Sequence, residues 1–261
     1  MRGRWVAIVL AVLLTGCATD AHIPPFARAP YEPFSRQAVV AIALREWRAF
    51  GSAVAPSEAT DKPERAEGLW QRVGEYWWLG LGSSEPEARW TGKHDAAGHV
   101  FPPERDATYA WSAAFVSYVM RMAGAGAGFP YAAGHDVYIR AAATGASRLV
   151  IAAERPETYA PRSGDLICSG RAENARLRYD DLTRTPVFLS HCDIVVDTDG
   201  PDGLSAIGGN VSDTVTLRHF PVTPDGRLAG DGWLAVLRLR EPRSLLTSTP
   251  FSRESNWSLR R

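Results

Sequence analysis

The segment Tyr109-Ala-Trp-Ser-Ala-Ala-Phe115 decides the fold, because it opens the most regular helical pattern in the chain. From Trp111 to Ala123, apolar residues recur three and four positions apart, and a glycine-rich stretch follows. This pattern predicts a helix with one face buried against a second layer. It places Ser112 in the first turn, where free backbone N–H groups and the helix dipole favour negative charge.

Working outward, the same periodicity predicts helices over 35–50, 64–79 and 135–143, with a loop over 80–103. Beyond residue 164 the sequence pattern changes to short runs rich in Val, Ile, Leu and Thr, which are separated by turn residues. These runs predict strands over 165–168, 191–197, 204–207, 214–222 and 233–239. Helices followed by strands indicate an α+β domain, in which N-terminal helices pack on a curled antiparallel sheet of about five strands.

Two polar residues of the strand region complete a candidate catalytic group with Ser112. His191 opens a predicted strand in Ser190-His-Cys-Asp-Ile-Val195, and Asn210 follows the next strand in Ile207-Gly-Gly-Asn-Val211. Covalent hydrolysis requires a nucleophile, a base and a group that orients the base. We therefore predict that Ser112 attacks, that His191 transfers the proton and that Asn210 orients the imidazole.

Asp193 is a fourth catalytic candidate, because alternate residues of a strand share a face and it would lie beside His191. A carboxylate there is costly unless it is paired, so it either assists the site or lies at a partly wet strand end. Cys192 would point to the opposite face, which argues against a cysteine nucleophile at that position.

These segments, together with Gly164-Asp165-Leu166, resemble the papain-like NlpC and CHAP group of amidases and peptidases, which cut peptidoglycan or related amides. The resemblance covers roughly Tyr109 to Leu239 and implies a papain-like fold. More narrowly, the chain resembles an uncharacterised bacterial lipoprotein family, domain of unknown function 2272, within that group. Two positions depart from the group's pattern: Ser112 replaces the nucleophilic Cys, and Gly208 replaces a Glu of the CHAP pattern.

Five further residues are candidates for contact with a substrate: Trp111, Tyr109, His135, Arg171 and Asp165. Each also has a structural alternative. The aromatic residues could pack, and His135 could cap a helix. Arg171 could form a surface ion pair, and Asp165 could hydrogen-bond the backbone of a turn.

The serine leaves two functions open. A hydroxyl ionises far less readily than a thiol, so His191 would have to act as general base. If His191 acts in this way, the chain is a hydrolase of peptidoglycan peptide or related amide and ester bonds. The alternative is an inactive domain that binds a cell-wall fragment or a protein partner. We expect no cofactor and no metal, because the triad needs neither and the spacing of His94, Asp95 and His99 fits no zinc pattern.

The N-terminal residues predict export and lipid anchoring. Two arginines precede the apolar run Trp5 to Leu14, which is too short to span a bilayer. Leu14-Thr15-Gly16-Cys17 resembles the bacterial lipobox, which implies a signal peptide over 1–16 and a membrane anchor on Cys17. By resemblance to Gram-negative sorting rules, Ala18 favours the periplasmic face of the outer membrane. The alternative is an ordinary secretory signal with a chance cysteine.

Composition limits the remaining possibilities. A formal net charge of zero, with no basic block, argues against a nucleic-acid partner. An oxidising compartment permits a disulfide between Cys168 and Cys192, although two buried thiols are an equal alternative. We expect a tether over residues 17–34 and a single α+β domain over residues 35–240, with its core over residues 105–240. A polar tail follows over residues 241–261.

Overall fold

The computed structural model describes residues 34–56, 62–82 and 84–240. Within these ranges none of the helices combines the length and the apolar character needed to cross a bilayer. The predicted signal peptide, Cys17 and the tail over 241–261 lie outside the described residues, so they stay predictions. The described part contains four α-helices: α1 (Arg36–Ala49), α2 (Leu69–Leu81), α3 (Ser112–Met122) and α4 (His135–Ala143).

Seven strands form one open sheet in the order β1-β6-β5-β4-β3-β7-β2. They are β1 (Ala53–Val54), β2 (Ile151–Glu154), β3 (Leu166–Gly170), β4 (Ser190–Gly200), β5 (Gly203–Val211), β6 (Thr214–Phe220) and β7 (Trp233–Leu239). All neighbours pair antiparallel except β1 and β6, which are parallel. The α+β prediction is confirmed, but the strand number is wrong. The two missed strands, β1 and β2, have only two and four residues, too few for a periodic signal.

Helix α3 is the most deeply buried of the four helices. Every residue from Ser112 to Met120 is buried, and the helix packs against α2, β4 and β5. Gly80 of α2 permits the close approach, because a Cβ there would lie 2.7 Å from the carbonyl oxygen of Ala114. Packing on both sides therefore fixes the position of Ser112 at the N-terminal end of α3.

Helix α2 begins later than the pattern over 64–79 predicts. Pro63–Arg65 forms a separate 3₁₀ turn, and Gly68 has a φ of 85°. Glycine adopts this left-handed conformation without steric cost, and it interrupts the helical path. The α-helix therefore starts at Leu69, and Glu64 is left in a turn where it can contact other parts of the chain.

Asp165 joins the first helix to the last strand. Its Oδ1 accepts hydrogen bonds from the Arg36 guanidinium at 2.6 Å and from the Leu239 backbone N–H at 2.8 Å. Its Oδ2 accepts from the Tyr159 hydroxyl at 2.9 Å. A fully buried carboxylate with both oxygens satisfied in this way stabilises the domain.

Cys168 of β3 and Cys192 of β4 form a disulfide between directly opposed positions, with Cα atoms 4.2 Å apart. The sequence allowed both a bridge and free thiols, and the structure contains the bridge. Cys192 is flanked by His191 and Asp193, so the disulfide restrains the register of the strand that carries both candidate catalytic residues.

Replacing Cys168 and Cys192 by alanine in a Cys17→Ser background should lower the free energy of unfolding by about 3 kcal/mol. The bridge spans a sequence separation of 24, and such a loop restricts the unfolded chain by roughly this amount. Urea unfolding followed by tryptophan fluorescence measures the change, and chemical reduction of the Cys17→Ser protein should reproduce it. An unchanged midpoint in the double variant would contradict this expectation.

Candidate functional site

A cleft of about 850 Å³ opens at the N-terminal end of α3. It contains four residues that the sequence predicts for the site: Ser112, His135, Arg171 and Asn210. The lining also includes charged residues that the sequence analysis missed, namely Lys62, Glu104, Asp106, Asp136 and Asp213. Asp136 belongs to α4, and the other four come from a 3₁₀ segment, turns and loops without a motif, so only the fold reveals that they share one cleft.

Ser112 forms its hydrogen bond with His135, the first residue of α4. The Ser112 Oγ lies 2.7 Å from His135 Nε2, and the two residues are only 6% and 5% exposed. The other ring nitrogen of His135 is hydrogen-bonded to the Tyr138 hydroxyl. The sequence predicts His135 only as a substrate contact, and no motif indicates Tyr138, although residues three positions apart on a helix are neighbours.

The imidazole of His135 is held neutral. Burial, with His191 and Arg171 nearby, lowers the pKa of His135 well below its ordinary value. A neutral imidazole has one donor and one acceptor nitrogen, so it can link a serine and a tyrosine hydroxyl in one chain of hydrogen bonds. This chain fixes the orientation of the Ser112 hydroxyl.

His191 lies beside this pair, with its ring centroid 5.2 Å from that of His135. Its Nε2 is 3.2 Å from Asp193 Oδ1. Its Nδ1 is buried and has no hydrogen-bond partner among the described residues. One side of the ring is therefore oriented by a carboxylate, and among the described residues neither ring nitrogen of His191 is hydrogen-bonded to Ser112.

Asp193 makes the contact with His191 that the sequence analysis assigned first to Asn210. Its second oxygen accepts a hydrogen bond from the Arg218 guanidinium. Burial alone would raise the pKa of Asp193, but the attraction of His191 and Arg218 outweighs it and holds that pKa below its ordinary value. The carboxylate is therefore ionised at neutral pH. Asn210 lines the cleft instead, with a left-handed φ of 57° that asparagine tolerates better than most residues.

Gly208 makes room for this carboxylate. A Cβ on Gly208 would lie 2.1 Å from Asp193 Oδ1 and 2.9 Å from His191 Nε2. A glutamate at position 208, as in the CHAP pattern, could not share that space with Asp193. Glycine at position 208 thus has a physical reason. The Asp193 carboxylate of β4 occupies the space that a side chain at position 208 of β5 would need.

Three residues predicted to contact substrate do not line the cleft. Trp111 is 1% exposed and donates its indole N–H to Glu64. Tyr109 stacks on Phe101 with ring centroids 3.9 Å apart. Asp165 is satisfied within the domain, as described above. For these three the structural alternatives are correct, since all of them stabilise the fold around the site.

Glu64, Asp106 and Asp213 bring carboxylate oxygens within 4.8 Å of one another, and the two aspartates line the cleft. Lys62 contacts both aspartates, and Arg65 lies 2.7 Å from Asp106. Burial and the neighbouring carboxylates raise the pKa of Glu64 to about 8. The chain's own cations and a proton on Glu64 therefore offset the charge of this cluster. No local motif predicts this cluster, because its members are far apart in the chain.

Glu64→Gln should raise the free energy of unfolding by about 4 kcal/mol at pH 8 and by less than about 1 kcal/mol near pH 5. A carboxyl whose pKa rises from 4.5 to about 8 on folding stabilises the fold below pH 4.5 and loses that contribution as the pH rises through 8. Glutamine stays neutral and keeps an accepting oxygen for Trp111. Urea unfolding across this range, with the exposed Glu85→Gln as control, measures the effect. Identical pH profiles for Glu64→Gln and wild type would contradict it.

Gly208→Ala should lower the free energy of unfolding by about 2 kcal/mol, because the new methyl group displaces the Asp193 carboxylate from His191 and Arg218. A double-mutant cycle with Asp193→Ala tests the cause. In the Asp193→Ala background, the same substitution should cost at least about 1 kcal/mol less, since the displaced group is gone. Strictly additive costs would show that the two positions do not compete for space.

Comparison with known proteins gives a family match over most of the folded chain. A family model described as "Uncharacterized protein conserved in bacteria (DUF2272)" matches residues 64–246. No curated protein and no solved structure matches the chain. The matched region includes all the cleft residues named above except Lys62, and it covers more than half of the sequence. The chain therefore belongs to the DUF2272 family of proteins conserved in bacteria.

Proposed function

We propose that this protein is a cell-envelope hydrolase of amide or ester bonds, with Ser112 as nucleophile and peptidoglycan peptide as substrate class. The observation that carries the proposal is the 2.7 Å hydrogen bond between Ser112 Oγ and His135 Nε2, next to the oriented His191–Asp193 pair. A hydroxyl held by an imidazole at a helix N-terminus, beside a second imidazole with a carboxylate, suits nucleophilic catalysis.

His191 is the better general base of the two histidines. When Ser112 Oγ bonds to the carbonyl carbon, its proton passes to an imidazole, which becomes positively charged. Asp193 stabilises that charge on His191, whereas the side-chain partners of His135 are the neutral hydroxyls of Ser112 and Tyr138. A buried cation without a carboxylate is costly, so we assign proton transfer to His191 and positioning of Ser112 to His135.

The start of α3 supplies the remaining element of the mechanism. The first backbone N–H groups of a helix have no partner within it, and they can donate to the oxyanion that forms on the attacked carbonyl. His191 then returns its proton to the leaving amine or alkoxide, and water repeats the sequence to release the acyl group. Arg171, at the cleft, suits a substrate carboxylate.

A papain-like arrangement of the NlpC and CHAP type is part of this proposal. It is supported by the packing of α3, which carries the nucleophile, on β4 and β5, and by the antiparallel pairing of those strands. We also propose that acylation of Cys17 holds the protein at the periplasmic face of the outer membrane, where peptidoglycan is within reach. The lipobox-like sequence supports the anchor.

An inactive binding domain is the second candidate, and the burial of Ser112 favours it. With 6% exposure and a hydroxyl already bonded to His135, Ser112 presents little surface to a substrate. Such a domain would use the same cleft to hold a cell-wall fragment without cleaving it.

Ser112→Ala should lower kcat/KM for muropeptides or ester probes by about 1,000-fold or more, because the nucleophile is lost. His191→Asn should have a comparable effect, while His135→Asn should cost roughly tenfold through lost positioning. The matched control is Ser117→Ala on the same helix, whose hydroxyl bonds the backbone of Ala132 and should affect rates little. Equal rates for wild type and Ser112→Ala would remove this mechanism.

A Ser112→Cys variant separates the two functions in a single experiment. If the site is arranged for catalysis, the thiol should be ionised by the helix terminus and the imidazoles, and iodoacetamide should label it rapidly at pH 7. A thiol that stays inert, in a protein that still binds muropeptides, would support the inactive binding domain.

A further inference from the structure

A second cavity, of about 820 Å³, lies where α1 approaches β7. It shares no lining residue with the cleft that contains Ser112. Half of its ten lining residues are arginines: Arg36, Arg148, Arg162, Arg238 and Arg240. A chain with equal numbers of basic and acidic residues has thus gathered five guanidinium groups around one cavity.

Two of these arginines are paired with carboxylates. Arg36 forms an ion pair with Asp165 at 2.6 Å, and Arg238 forms one with Glu154 at 2.7 Å. Neither carboxylate lines the cavity. None of the lining residues is acidic.

The other three arginines have no carboxylate partner in the described part of the chain. Arg240 donates to the backbone carbonyl of Ala146 at 3.1 Å. Arg148 and Arg162 are exposed, and their side chains donate no hydrogen bond to a described residue. Three positive charges around one space repel each other, and an anion that binds between them removes that cost.

The chemistry of the wall suits a phosphate better than a simple halide. Guanidinium groups donate two parallel hydrogen bonds to phosphate oxygens and are weakly hydrated, which makes them good partners for phosphate esters. The volume is within the range of ligand sites and exceeds the needs of a bare ion. Leu149, Val150 and Leu239 add an apolar part to the wall, which suits an ester with a carbon substituent.

The position of the cavity favours a lipid as the source of the phosphate. Arg36 is only two residues from Phe34, where the described domain begins, and Arg240 is the residue where it ends. Residues at or next to both ends of the described domain therefore line the cavity. A domain anchored through Cys17, as proposed above, would carry this positive cavity near the lipid headgroups.

We propose that the arginine cavity binds the phosphate of an anionic lipid headgroup and holds the domain against the membrane surface. This site is independent of the hydrolase chemistry, because it uses none of the residues assigned to that reaction. A soluble phosphate ester offers the same chemical group, so the experiment must separate the two sources.

Co-sedimentation with vesicles tests the lipid. The full chain carries Cys17→Ser, so that acylation does not contribute, and the vesicles contain phosphatidylcholine with or without phosphatidylglycerol. Arg148→Gln/Arg162→Gln should weaken binding to the anionic vesicles at least about tenfold. The matched control, Arg89→Gln/Arg176→Gln, removes the same charge from two exposed arginines outside the cavity and should change binding less than about twofold. Comparison between variants cancels any contribution from the apolar residues 5–14.

Calorimetric titration with glycerol phosphate forms the second arm. Glycerol phosphate should also displace the wild-type protein from anionic vesicles, and this effect should be absent in Arg148→Gln/Arg162→Gln. That result supports the proposal. Binding of glycerol phosphate without preference for anionic vesicles overturns the lipid source. Equal losses in the two double variants, or no binding by wild type in either arm, overturn the cavity as a site. Unchanged Tm values establish that the variants are folded, and Ser112→Ala should bind vesicles like wild type, which keeps this result separate from the hydrolase test.

Discussion

The buried carboxylate of Asp193 constrains the whole site. It lies in the sheet with almost no exposure, and it is tolerated there because His191 and Arg218 both contact it. Three strands must cooperate for this: β4 carries the acid and the imidazole, β6 carries the guanidinium, and β5 leaves Gly208 without a side chain. The ionised state of Asp193 therefore depends on the positions of these three strands.

Much of the scaffold could be predicted from the sequence, because it follows from periodicity. The helix that begins at Ser112 and the strand that carries His191 both have buried faces, and burial imposes a regular apolar pattern. The short strands β1 and β2 lack room for such a pattern, and β1 reaches the sheet only through its pairing with β6. Tertiary contacts, which a single sequence does not display, decided their structure.

The sequence predicts which residues belong to the candidate site better than it predicts which of them are hydrogen-bonded to one another. Ser112, His191 and Asp193 could be found from local motifs, whereas the bond from Ser112 to His135 depends on how α4 packs. Arg218 and Glu64 have no motif at all. They matter because distant segments bring them to buried carboxylates or indoles. Two predicted ligands, Tyr109 and Trp111, belong to the aromatic core for the same reason: packing uses the same residue types as recognition.

The disulfide between β3 and β4 ties the ordering of the candidate site to the redox state of the compartment. Cys192 lies between His191 and Asp193 in the chain, so the covalent link is made near the start of β4, next to both candidate catalytic residues. Before this link forms, as in a reducing cytosol, that strand has one restraint fewer. On the proposed export route, the disulfide forms once the protein reaches an oxidising compartment, and the site gains this restraint there. A hydrolase of the proposed kind would then gain this restraint on its site only outside the cytosol.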